Sequence, residues 1–187
     1  YVSIVLHLVI ALYVIYKNFR NPIHIYFSLF AIFIALWAYS NLAFLTADNE
    51  SDMQLWAAWA YNIGSTMLLL MYLFTLNVSG AANIKRKTWL ALFVFFFSII
   101  IVYIPDFVYS GVNFDEKSID TLPGVFLVFA SYFYFILCTI KTLYSELIKL
   151  QNKERNQLRI ILTALSLSIF FGVLFNVILP SVKIYYY

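Results

Sequence analysis

Apolar residues occur in long runs along the chain, and polar residues collect in the segments between them. Six runs are long enough to cross a membrane as helices, since a spanning helix needs about 20 mostly apolar residues. No run shows the period-two alternation of a half-buried strand. The pattern predicts six helices, over residues 1–16, 23–47, 53–79, 88–105, 122–149 and 157–180.

The composition favours a membrane protein over a soluble one. Residues of the set AVILMFWYC make up 64% of the 187 residues, and charged residues make up 11%. An average soluble domain has roughly 45–50% apolar and about 25% charged residues, and a chain this small could not bury the excess. Backbone groups inside lipid must pair within each segment. We therefore predict an all-α, polytopic transmembrane helix bundle in a cell membrane, either a plasma membrane or an inner membrane.

The charged residues of the connectors predict the orientation, because cytoplasmic connectors carry an excess of Lys and Arg. Most basic residues follow the first and third helices or lie near the connector between the fifth and sixth: Lys17, Arg20, Lys85, Arg86, Lys87, Lys141, Lys149, Lys153, Arg155 and Arg159. The alternate connectors are acidic: Asp48, Glu50, Asp52, Asp106, Asp115, Glu116 and Asp120. The N-terminus is therefore expected outside. We expect a seventh helix beyond Tyr187 to return the chain to the cytoplasm, so that residues 1–187 are a fragment.

The predicted spans contain few residues that could bind a metal ion, carry a charge or act in catalysis. The middles of the second, third, fourth and sixth helices contain no Asp, Glu, Lys or Arg, whereas ion-coupled transporters place such groups at mid-depth. Two histidines without further ligands at metal spacing do not indicate a metal site, and the single Cys138 forms no disulfide framework. No phosphate-binding loop or nucleophile motif is present. We expect no catalytic residue and no cofactor in this region.

Polar and aromatic side chains gather in the outer halves of the predicted helices. The spacings of Trp37 to Asn41, Trp59 to Asn62 and Asn62 to Thr66 place each pair on one helix face. If these faces converge, they form a pocket for a small apolar or weakly polar ligand. The candidate ligand-binding residues are Trp37, Asn41, Trp59, Asn62, Thr66 and Asn176, with Ser131 at similar depth. Alternatively, the same residues hold helix to helix, with Gly64 and Gly172 allowing close approach.

Several short motifs add a family resemblance. They are Asn21-Pro22, the segment from Phe27 to Leu36-Trp37, Asn41, Leu55-Trp56, Phe74, the run 155–159 (Arg-Asn-Gln-Leu-Arg), Gly172, Asn176 and Pro180. Together they resemble the N-terminal seven-helix sensor region of bacterial membrane histidine kinases, which also precedes diguanylate cyclases. The resemblance covers about residues 5 to 182. Family members often carry proline in the third helix, where this chain reads Ser65-Thr66-Met67.

The resemblance implies a sensory input domain of the two-component type. It would pass an external or intramembrane stimulus through a seventh helix to a cytoplasmic output domain in the same chain. Its expected partners are the lipid bilayer, a small ligand and a second copy of the chain, with no nucleic acid. Two alternatives stay open: a small transporter or channel-like protein, or an assembly subunit of a membrane complex.

Overall fold

The computed structural model describes residues 2–80 and 83–149, so the predicted helix at 157–180 lies outside the described residues. The described helices are α1 Val2–Lys17, α2 Pro22–Leu45, α3 Glu50–Val78, α4 Ile84–Val102 and α5 Val125–Lys149. The first five predicted helices are confirmed, and the largest difference, four residues, is at the start of α4. The chain divides into two units, Tyr1–Thr139 and Ile140–Tyr187. Helix α5 extends past the end of the first unit, and the contacts and sites described below lie within that unit.

Length and apolar composition suit several of these helices to a membrane. Among the described residues, Pro22–Leu45, Glu50–Val78 and Val125–Ile148 are long and apolar enough to span one. Helix α1 is apolar but shorter, and α4 begins with three basic residues. Both expose large apolar side chains along their length, including Val5 and Leu12 of α1 and Phe93 and Ile100 of α4. Apolar surface on this scale is typical of a protein that lipid covers.

Helix α3 is the central helix of the bundle. It has fourteen buried residues, whereas α2 has four and α4 has four. Its neighbours are α2, α4 and a short strand beyond α4. From Ile63 to Leu76 the burial extends around most of the helix. A helix that is apolar on all sides belongs in the interior of a bundle.

Two asparagines determine where α2 and α3 begin. The Asn21 side-chain oxygen accepts a hydrogen bond from the Ile23 amide at 2.9 Å, and Pro22 occupies the first helical position, where its missing N–H is no loss. The Asn49 side chain accepts from the Asp52 amide at 2.9 Å and donates to the Asp52 carboxylate at 2.8 Å. Such caps are favoured because the first amides of a helix have no acceptor within it.

A β-hairpin, which the all-α prediction did not include, connects α4 to α5. Its antiparallel strands are β1 Tyr109–Asn113 and β2 Ser118–Thr121. Val112 packs with Met53 and Ala57 at the start of α3. The hairpin and the α2–α3 connector therefore share one end of the bundle, which we call the hairpin end.

Candidate functional site

Three buried serines join three helices near the hairpin end. Ser65 of α3 and Ser98 of α4 place their hydroxyl oxygens 3.1 Å apart. Ser131 of α5 donates either to Ser98 Oγ at 3.0 Å or to the Val128 main-chain oxygen at 2.7 Å, because a hydroxyl carries a single hydrogen. None of the three side chains is more than 6% exposed. The hydroxyls are therefore shielded from solvent and bond to one another.

Tyr132, the next residue of α5, makes a second contact with α3. Its hydroxyl donates to the Tyr61 main-chain oxygen at 2.7 Å. Gly64 lies directly against this hydroxyl, and a Cβ there would stand 2.9 Å from it. The missing side chain of Gly64 thus admits the tyrosine. This is the close helix approach expected of Gly64, and small residues commonly provide it in membrane bundles.

Asn62 continues this line of contacts toward the end of α4. Its side-chain nitrogen donates to the Tyr103 hydroxyl at 3.0 Å, and Tyr103 immediately follows the last residue of α4. Its main-chain oxygen accepts from the Thr66 hydroxyl at 2.8 Å. Its side-chain oxygen is buried and has no hydrogen-bond donor within the described ranges 2–80 and 83–149. We call the set that joins α3, α4 and α5 the polar seam: Tyr61, Asn62, Ser65, Ser98, Tyr103, Ser131 and Tyr132.

Aromatic packing joins the polar seam to the hairpin. The ring of Tyr61 stacks on Tyr109 of β1, with centroids 6.4 Å apart and planes 13° apart. Burial, and to a lesser extent the nearby Tyr103 hydroxyl, raise the pKa of Tyr109 above its ordinary value. Tyr109 therefore remains neutral at physiological pH. The apolar cluster next to these rings consists of Ala58, Ile101, Val102, Val108, Val125 and Val128.

A lysine fixes the hairpin to the α2–α3 connector. Lys117 Nζ donates to the Ala47 main-chain oxygen at 2.9 Å and lies 3.6 Å from the centre of the Phe114 ring. Seven exposed acids surround this end: Asp48, Glu50, Asp52, Asp106, Asp115, Glu116 and Asp120. Within the part of the chain that the structure describes, no three His, Cys, Asp or Glu side chains are placed to hold a metal ion.

The structure places the candidate ligand residues in two groups. Trp59, Asn62 and Thr66 follow one another along α3, with Trp59 52% exposed and the other two half-buried. On α2, the Asn41 side chain donates to the Trp37 main-chain oxygen at 2.7 Å, a bond within that helix. Among the described residues, no hydrogen bond or ring contact joins the two groups. Asn176 lies outside the described residues, so convergence into one pocket stays a prediction.

Sequence reasoning missed part of the polar seam. Asn62 was a candidate, and Ser131 was noted at similar depth. The other members of the seam were not among the candidates: Tyr61, Ser65, Ser98, Tyr103 and Tyr132. The available signal was a serine in the interior of each of three successive apolar runs, Ser65, Ser98 and Ser131. A polar group in lipid needs a partner, so isolated serines at similar depth are natural candidates to bond one another. Two apolar grooves run along α1, and none of the six candidate residues lines either of them.

Comparison with known proteins identifies the family of this chain. A family model described as the N-terminal 7TM region of histidine kinase matches residues 1–186. The chain belongs to this family. The resemblance carried by Asn21-Pro22 and the Trp37 to Asn41 segment is thereby confirmed, and this 7TM region is a non-catalytic membrane region of signalling proteins. Searches of the curated proteins and of the solved structures found no match.

Proposed function

We propose that residues 1–187 form the transmembrane sensory input domain of a two-component histidine kinase. The domain passes an external or intramembrane stimulus to a cytoplasmic output domain of the same chain through a seventh helix. The observation that carries this proposal is the family match over residues 1–186. The bilayer is then its principal partner, and a second copy of the chain is a further one.

The proposed topology has six spans in residues 1–187, with the N-terminus and the hairpin end outside a multi-pass cell membrane. The charge distribution supports it. Seven of the nine acids lie at the hairpin end. Lys17 ends α1, Arg20 follows it, and three basic residues lie in the first turn of α4. Positive charge is retained on the cytoplasmic side of membranes, which favours a hairpin end outside.

The polar seam is the proposed element that changes state. Its contacts between helices are Asn62 to Tyr103, Ser65 to Ser98, Ser98 to Ser131, and Tyr132 to the Tyr61 main chain. Hydrogen bonds between membrane helices contribute about 0.6 kcal/mol each, so four of them amount to about 2–3 kcal/mol. Coupling free energies between sites are typically about 1–3 kcal/mol. A stimulus can therefore shift the seam, provided that it binds one arrangement better than the other.

The proposed ligand contacts begin with Trp59, Asn62 and Thr66, which lie beside the polar seam on α3. Trp37, Asn41 and Asn176 are further proposed contacts, as their depth in the predicted helices indicates. The ligand is small and apolar or weakly polar, because the middles of the spans that hold these residues contain no Asp, Glu, Lys or Arg. Binding at this place alters the packing of α3 against α4 and α5, and a seventh helix would carry that change inward.

Autophosphorylation of the full-length protein tests the sensory role. The protein is reconstituted in liposomes, and ATP-dependent phosphorylation is compared for wild type, Ser98→Ala and Ser40→Ala. Ser40 is a matched control because it is fully buried and bonds only within its own helix, to the Trp37 main-chain oxygen at 2.9 Å. We expect Ser98→Ala to change the basal rate severalfold and Ser40→Ala to leave it unchanged. A coding sequence that ends just after Tyr187 would contradict the proposal.

Cysteine labelling in intact cells tests the topology. Cys138 is the chain's single cysteine, so a Cys138→Ser background allows one reporter at a time. A membrane-impermeant maleimide should label Asp115→Cys in intact cells and label Arg86→Cys only after lysis. The reverse pattern would place the hairpin end in the cytoplasm.

A further inference from the structure

We propose that the Asn62 side-chain oxygen binds the hydrogen-bond donor of an uncharged, planar amphiphile that enters from the hairpin end. Ligands of this class carry a hydroxyl or N–H group on an aromatic body, as phenols and indoles do. The inference rests on the sensory role proposed above and names the ligand chemistry that its site accepts.

The polar groups of Asn62 are engaged except for this oxygen. The side-chain nitrogen donates to Tyr103, and the main-chain oxygen accepts from Thr66. The bond to Tyr103 fixes the plane of the amide and therefore the direction of its oxygen. That oxygen is buried without a donor from residues 2–80 or 83–149. A buried carbonyl without a donor is unfavourable, particularly within lipid, where water is scarce.

Two exposed aromatic side chains flank this acceptor in the fold. Trp59 precedes Asn62 by one helical turn, so both lie on the same face of α3, and Trp59 is 52% exposed. Tyr103, in direct contact with Asn62, is 63% exposed. Tryptophan and tyrosine at a membrane interface present large flat surfaces on which planar molecules pack. A planar ligand can thus contact these rings while it donates to the amide oxygen.

The absence of charged side chains in the nearby sequence selects an uncharged ligand. Between Met53 and Val78 of α3, and between Thr88 and Val102 of α4, the sequence has no Asp, Glu, Lys or Arg. A charged donor at Asn62 would lack a counter-charge, which is costly in an apolar environment. Anions are further disfavoured because the open group is an acceptor and because seven acids lie at the hairpin end.

Access to the oxygen gives the ligand a means to act on the polar seam. Because the oxygen is buried, a donor reaches it only when a neighbouring side chain moves. Tyr103 is the exposed neighbour that bonds to the Asn62 side chain, and it lies between the end of α4 and the hairpin. Its displacement therefore changes the junction of α4 with the hairpin, next to the contact of Ser98 with Ser65. Ligand binding and seam rearrangement are coupled through this residue.

Binding of indole and of N-methylindole to the full chain in lipid nanodiscs tests the inference. The two probes share a planar body, but only indole donates a hydrogen bond. Thermal unfolding is followed by a thiol-reactive dye on Cys138, the single cysteine, and empty nanodiscs correct for partition into lipid. We expect Asn62→Leu to weaken indole binding about fivefold to tenfold, the effect of one hydrogen bond. N-methylindole should bind wild type and Asn62→Leu alike.

Asn77→Leu is the matched control, because Asn77 is a half-buried amide of the same helix and bonds to the Leu73 main-chain oxygen at 2.8 Å. It should bind indole as wild type does. Equal binding of both probes to wild type would overturn the inference, because the indole N–H would then make no hydrogen bond. This comparison remains decisive even if Asn62→Leu does not fold. An equal loss of indole affinity in Asn62→Leu and Asn77→Leu would also overturn the inference. Specific binding without a change in autophosphorylation would instead contradict the sensory role alone.

Discussion

The hydroxyl of Tyr132 donates to the main-chain oxygen of Tyr61 at 2.7 Å and so ties α5 to α3. The bond forms where α3 has glycine, because a Cβ at Gly64 would stand 2.9 Å from the same hydroxyl. The partners of Tyr132 on α3 are thus a main-chain oxygen and a position without a side chain. Both features depend on the backbone of α3 being directly accessible.

Gly64→Ala is expected to destabilise the bundle through Tyr132. Overpacking costs about 1–3 kcal/mol, whereas alanine improves helix propensity by about 1 kcal/mol. The net change in the free energy of unfolding should be a loss of about 1 kcal/mol, measured by thermal unfolding in detergent. In a Tyr132→Phe background the clashing oxygen is gone, so the same substitution should be neutral or stabilising. An equal loss in both backgrounds would show that Tyr132 is not the obstacle.

The five described helices could be predicted from the sequence because each coincides with a long apolar run. Asn21-Pro22 even gives the start of α2 to within one residue. The hairpin could not be predicted in this way. Its strands have five and four residues, and an isolated two-stranded hairpin is marginal in water. Its order depends on Val112 meeting Met53, a tertiary contact that no local pattern specifies.

The candidate site was predictable along a helix but not between helices. Helical spacing predicted Asn62 and Thr66 on one face, since residues four apart are neighbours, and the Thr66 hydroxyl donates to the Asn62 main-chain oxygen. The partner of Asn62 across the interface, Tyr103, depends on how α3 and α4 are rotated about their axes. A helix that is apolar on all sides gives no sequence signal for that rotation. The contact between Ser65 and Ser98 could not be predicted from the sequence for the same reason.

Ser98→Ala should cost more than the loss of one hydroxyl suggests, because Ser98 bonds both Ser65 and Ser131. The expected loss is about 1–2 kcal/mol, since the Ser65 hydroxyl is left buried without its partner. Replacing Ser65, Ser98 and Ser131 together with alanine leaves no buried serine hydroxyl without its partner. The triple variant should therefore lose less than the sum of the three single losses, a non-additivity expected for residues in contact.

Ser40→Ala controls for the intrinsic effect of exchanging a buried serine in a helix. Ser98→Ala and Ser40→Ala gain the same helix propensity. The difference between their changes in the free energy of unfolding therefore reports the contacts between helices. Thermal unfolding of the five variants in the same detergent gives these free energies. If Ser98→Ala and Ser40→Ala lose the same amount, or if the three single losses simply add, the serines do not act as a connected group.

Gly124→Ala is expected to disrupt the base of the hairpin. The Gly124 amide donates to the Phe107 main-chain oxygen at 3.0 Å, and a Cβ at Gly124 would collide with that same oxygen. Relief requires a backbone shift, for which a loss of about 1–3 kcal/mol is expected. Gly111→Ala is the matched control because a Cβ there meets nothing within 4 Å. It should change the free energy of unfolding by no more than about 0.5 kcal/mol, and similar thermal shifts for both variants would contradict the assignment.

Lys117→Met should loosen the hairpin from the α2–α3 connector while the helices remain folded. Methionine keeps much of the aliphatic length but removes the bond to the Ala47 oxygen and the cation above the Phe114 ring. Local opening is governed by such few contacts, so amide hydrogen exchange should accelerate across 111–120 and stay unchanged in the middle of α3. Lys117→Arg retains the charge and should exchange at an intermediate rate. Lys85→Met, at the start of α4, supplies the control for loss of a surface lysine. The hairpin also stacks on Tyr61 through Tyr109 and packs on Met53 through Val112. Slow exchange that persists in Lys117→Met would therefore mean that these contacts suffice to hold it.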